Sequence, residues 1–105
     1  MDGSHKKYKV IISEATAQML VAHSRFLAQV SETAAWRLID EFNEKTKSLE
    51  EFPERNPWLC GPSISPEKYR KLLIEKRYLL IYQVKGNTVY VDAVIDGRQD
   101  YEWLL

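Results

Sequence analysis

A chain of 105 residues, 45% hydrophobic and 29% charged, can build one small core but not two. Its 15 basic and 15 acidic side chains leave no net charge at pH 7, which argues against a partner held by general phosphate attraction. One cysteine, Cys60, excludes an internal disulfide, and with only His5 and His23 beside it the chain falls short of the ligands of a structural zinc site.

No apolar run is long enough to span a bilayer, and no secretion signal opens the chain. A cytoplasmic protein away from membranes, with a reduced thiol, is the expectation. Residues 1–6 are set aside as a disordered tail or an expression remnant, and residues 7–105 are read as a single domain. Charge is unevenly spread: residues 31–60 carry seven acids against four bases, and residues 68–77, "KYRKLLIEKR", carry five bases against one acid. That basic patch suits a solvated strand with protective lysines, or a contact surface.

The first element is a strand, "KYKVIIS" at 7–13, alternating basic and apolar residues before turning β-branched. Ser13 then caps a helix over 14–30, in which Met19, Leu20, His23, Phe26, Leu27 and Val30 form one apolar stripe. His23 has no acid or nucleophile spaced to work with it and is read as a packing residue. Ser31 caps a second helix running to about residue 51. Glu32 lies in its first turn, where the helix dipole favours an acid. Ala35, Ile39, Phe42, Thr46 and Leu49 form its stripe, flanked by Trp36. So short a link makes the two helices an antiparallel hairpin.

All four prolines fall in "FPERNPWLCGPSISP", residues 52–66, which excludes both a helix and a central strand there. It reads as a crossing loop pinned to the core by Trp58 and Leu59. Three strands follow, "KYRKLLI", "YLLIYQV" and "VYVDAVI", joined at "EKR" and at the tight turn "KGNT". In the middle strand Tyr78, Leu80, Tyr82 and Val84 share one face, and Leu79, Ile81 and Gln83 the other. Two mostly apolar faces both need cover, and the hairpin can supply only one. The order β-α-α-β-β-β predicts an α+β domain with two helices on a mainly antiparallel sheet.

No Ser-His-Asp set and no phosphate-cradling glycine loop is present. Enzymatic work without a metal would fall to Arg70, Lys71, Lys76, Arg77, Arg98 and Tyr101. The carboxylates of the second helix read as a solvated face with i, i+4 support, such as Glu41 to Lys45.

"YKVIIS" at 8–13, "FPER" at 52–55, "YRKLLI" at 69–74 and "GRQDY" at 97–101 stand in the order and spacing found in bacterial RelE/ParE toxins. The chain resembles that family over about residues 7–105. The resemblance implies the toxin of a type II toxin–antitoxin (plasmid stabilisation) system, without a cofactor, assembled with a cognate antitoxin. It offers two mechanisms. RelE-like members cleave messenger RNA on the ribosome with basic side chains and a late Tyr or His. ParE-like members bind DNA gyrase and carry no hydrolytic site.

Laid over the nuclease pattern, Arg70 matches a basic strand residue, but the next basic position is Leu72. The arginine expected early in the middle strand is Leu79. The tip Gly97-Arg98-Gln99 lacks its second arginine, and Tyr101 follows the tip too soon for the late tyrosine. Leu72 and Leu79 cannot hold phosphate or move protons. The reading is therefore a ParE-like inhibitor of gyrase, with Arg70, Arg77, Arg98, Tyr101 and Trp103 as residues for target or antitoxin. The alternatives are a ribosome-dependent nuclease using Arg70, Lys71, Arg98 and Tyr101, and a degenerate toxin that acts only as a binding module. The ending "VIDGRQDYEWLL" fits either a tail folded over the sheet edge or an aromatic anchor for a partner.

Overall fold

The computed structural model of the protein describes residues 7–97. In chain order these form β1 (Lys9–Ile12), α1 (Glu14–Ala28), α2 (Glu32–Ser48), a single 3-10 turn (Pro53–Arg55), β2 (Arg70–Ile74), β3 (Tyr78–Lys85) and β4 (Thr88–Asp96). The strands make one sheet in the order β1-β4-β3-β2. The last three are antiparallel neighbours, and β1 lies parallel to β4 at the edge. A parallel pair needs a long crossover, and the two helices provide it.

Both serine caps form as the sequence predicts. The Ser13 hydroxyl accepts the Thr16 N–H at 3.0 Å, and the Ser31 hydroxyl accepts the Ala34 N–H at 3.1 Å. Thr16 in turn donates its own hydroxyl to the Val91 carbonyl at 3.0 Å. His23 Nε2 lies 2.9 Å from the Val94 carbonyl, with its ring against Tyr78. Thr16, Leu20, His23 and Leu27 therefore form the seam along which α1 lies on β4. Phe26 and Val30 sit off that seam and are exposed, at 59% and 86%. On α2 the deepest residue is Leu38, fully buried, with Ala35, Phe42 and Thr46. Ile39, one position away, is only half-buried.

The helices cover one face of the sheet, where Leu38, Phe42 and Leu49 meet Tyr78, Leu80, Tyr82 and Val94. The proline-rich segment covers part of the other: Leu59, Ile64 and Tyr69 pack on Ile81, Ala93 and Ile95. Residues 57–59 also run along the outer edge of β2. The Leu59 N–H donates to the Tyr69 carbonyl at 2.7 Å, and the Lys71 N–H donates to the Pro57 carbonyl at 3.0 Å. The open question of the second face is answered by the loop itself.

Strict alternation would put Val89, Val91, Ala93 and Ile95 of β4 on one face. The register breaks between Ile81 and Tyr82, whose partners are Ala93 and Val91. Asp92 is the extra residue of a bulge, and it accepts a hydrogen bond from Gln83 Nε2 at 2.6 Å. The slip turns Val94 to the helix side and Ala93 and Ile95 to the loop side. One strand thus serves both small cores.

Candidate interaction site at the end of the sheet

The predicted site residues within the described chain fall at opposite ends of the sheet. Arg70 opens β2 opposite Tyr82 and so shares the helix-side face. Its guanidinium lies 3.6 Å over the Trp58 ring, and Nη1 donates to the Asn56 carbonyl at 2.6 Å. Asn56 Nδ2 donates to the Tyr82 hydroxyl at 2.9 Å, and that hydroxyl donates to the Pro53 carbonyl at 2.5 Å. Burial pushes the Tyr82 phenol above its ordinary value of 10.0, the Asn56 hydrogen bond and the Arg70 and Arg55 charges opposing it. Arg70 and Tyr82 thus tie the "FPERNPW" stretch to the sheet. Lys71, the next residue, points to the other face.

Arg77 lies at the far end, in the β2–β3 turn, five strand positions or about 16 Å from Arg70 along the sheet. Its Nε and Nη2 each donate to Asp96 Oδ2 at 3.1 Å. Asp96 is the last residue of β4 and its side chain is only 10% exposed. The Gly97 N–H donates to the Arg77 carbonyl at 2.8 Å, which ties the start of the "GRQD" tip to the same turn. Arg98, Tyr101 and Trp103 lie outside the described residues.

The turn itself is strained. Glu75 and Lys76 have φ of 49° and 56°, the left-handed region that glycine favours. Helix α2 holds the turn there: Glu41 Oε2 accepts the Glu75 N–H at 3.0 Å, and Arg37 Nε donates to the Glu75 carboxylate at 3.3 Å. Beside the turn is a depression of about 460 Å³ lined by Leu73, Lys76, Arg77, Leu79 and Gly97. Leu73 is 53% exposed there. Lys76 is among the candidate cations read from the sequence, whereas Leu73 and Leu79 are not among its candidate site residues. A glycine-free "EKR" turn between two apolar strands was the available signal. Cys60 is exposed in the proline-rich segment. Among the described residues, no group of three or more His, Cys, Asp or Glu could hold a metal.

A family model, the ParE toxin of the type II toxin–antitoxin system parDE, matches residues 10–101. The chain belongs to the ParE toxin family. It is a ParE-family toxin of a type II toxin–antitoxin system. Its fold is similar to a chain of the chromosomal ParDE system from P. aeruginosa, with a TM-score of 0.68 at 15% identity, covering 86% of this chain and 96% of that one. No curated protein matches. Among the described residues no helix is long and apolar enough to cross a membrane.

Proposed function

We propose that this toxin arrests growth by binding a protein target, DNA gyrase, in the cytoplasm. A cognate antitoxin neutralises it in a hetero-oligomer, as in a plasmid-stabilisation module. The observation that carries this reading is the placement of the cations. Arg70 is spent on Trp58 and Asn56, Lys71 faces the other way, and Arg77 is paired at the distant end. A nuclease needs its base, acid and phosphate-binding cations around one scissile bond. A protein-binding surface needs an apolar centre with a charged rim, and Leu73, Leu79, Lys76 and Arg77 supply one beside Gly97.

The test is a gyrase supercoiling assay with the purified chain, with and without the product of the adjacent small gene, alongside colony counts after controlled induction. The expected results are blocked supercoiling, relief by that product, and loss of inhibition in Leu73→Asp/Lys76→Glu. Full supercoiling at large excess of folded protein rules out gyrase as the target. Cleavage of translated messages would instead move the assignment to the ribosome.

A further inference from the structure

The solvent face of the helical hairpin carries a groove of about 350 Å³, lined by Ser24, Arg25, Ala28, Glu32, Ala35, Trp36 and Ile39. It shares no residue with the depression beside the β2–β3 turn. Two alanines, Ala28 and Ala35, leave the seam between α1 and α2 shallow in side chains. Trp36 stands at its wall, 62% exposed. Ser24 is only 8% exposed, and its hydroxyl has no hydrogen-bond partner. Arg25 and Glu32 put opposite charges on the groove, one from each helix, and neither forms an ion pair among the described residues.

We propose that this groove is a self-association surface, occupied by the hairpin of a second copy of the chain related by a two-fold axis. What the groove lacks, the same face of another copy brings. The groove wants an apolar anchor, an acid for Arg25 and a base for Glu32. Trp36 is a large exposed anchor whose ring can seat on Ala28 and Ala35 of the other copy. Arg25 of each copy faces Glu32 of the other. In a two-fold pairing each contact occurs twice, so one weak set of groups counts double. A foreign segment would have to carry the same three features in matching order. The inference does not depend on what the toxin targets.

The experiment is sedimentation velocity on the purified full-length chain from micromolar to millimolar concentration, with far-UV circular dichroism to confirm folding. The wild type is expected to show a concentration-dependent monomer–dimer equilibrium. Trp36→Ala, at an exposed position, weakens it by at least about tenfold. Arg25→Glu and Glu32→Arg each weaken it, and the two reversals together restore it toward the wild-type value. A wild-type chain that stays monomeric throughout overturns the proposal, including one whose groove is filled only by a different protein. So does a dimer indifferent to Trp36→Ala, or one that both single reversals leave unchanged.

Discussion

Replacing Arg77 by alanine tests whether this residue acts through its charge toward a target or through its grip on Asp96. Two N–H groups of Arg77 reach one oxygen of Asp96 at 3.1 Å, and the side chains are 32% and 10% exposed. Breaking a fully buried pair costs about 3–5 kcal/mol, because a charge is left in low dielectric. A fully exposed pair is worth under about 1 kcal/mol. Here the acid is buried and the base is a third in water, which places the loss at about 2–3 kcal/mol. For a domain of this size that is a fall in Tm of about 10 °C or more. Asp96→Asn in the same background removes the buried acid's charge, so Arg77→Ala/Asp96→Asn should regain part of the stability. The assay is a double-mutant cycle by urea denaturation. A coupling energy indistinguishable from zero refutes the electrostatic reasoning. If the double variant is stable yet no longer blocks supercoiling, Arg77 touches the target; if it blocks normally, Arg77 is a structural clamp.

Three further outcomes are expected. Lys76→Gly should raise stability by about 0.5–1 kcal/mol, since relief of a left-handed φ outweighs the added chain entropy; a destabilised variant on a denaturant curve contradicts the strain argument. Arg70→Lys keeps the charge but loses the flat stack on Trp58, and should cost about 1 kcal/mol; unchanged stability and unchanged tryptophan fluorescence would show that the stack contributes nothing. Tyr82→Phe should cost about 1–2 kcal/mol at neutral pH by leaving the Pro53 carbonyl and the Asn56 amide unpaired. The Tyr82 phenol has a higher pKa folded than unfolded, so its stabilisation is whole below pH 10.0 and declines as pH rises toward the folded value. The phenylalanine variant should therefore lose stability less steeply above pH 10.0 than the wild type, and parallel pH profiles would remove Tyr82 from the alkaline transition.

Local chemistry was legible in the sequence and long-range registration was not. Ser13 and Ser31 announce their helices because a cap needs only a hydroxyl and the next turn of backbone. The element order follows from periodicity and proline density, and the sheet and hairpin bear it out. Which stripe of a helix lies deepest depends on what it meets. Phe26 is exposed because α1 meets β4 through Thr16 and His23, which bond the Val91 and Val94 carbonyls, on a face that Phe26 does not share. The bulge at Asp92 is similarly hidden: it exists only in the pairing of Ile81 with Ala93 and of Tyr82 with Val91, a register that the alternation of either strand alone does not carry.

The site shows the same division. Arg70 and Lys71 are neighbours in a strand, so their separation onto two faces was readable from alternation alone. Which of those faces lies under the helices was not, because it rests on Arg70 standing opposite Tyr82. That register decides the chemistry. It sends Arg70 toward Trp58 and the Asn56 carbonyl, where it braces the proline-rich segment, and that segment's Leu59 and Ile64 then cover the face on which Ile81 and Ala93 would otherwise be bare. The covered middle of the sheet leaves its apolar opening beside the β2–β3 turn, where Leu73 is exposed and the Gly97 backbone is tied to Arg77. A residue type that reads as a nuclease cation in the sequence thus works as a brace in the fold, and the proposed contact surface lies where the bracing ends.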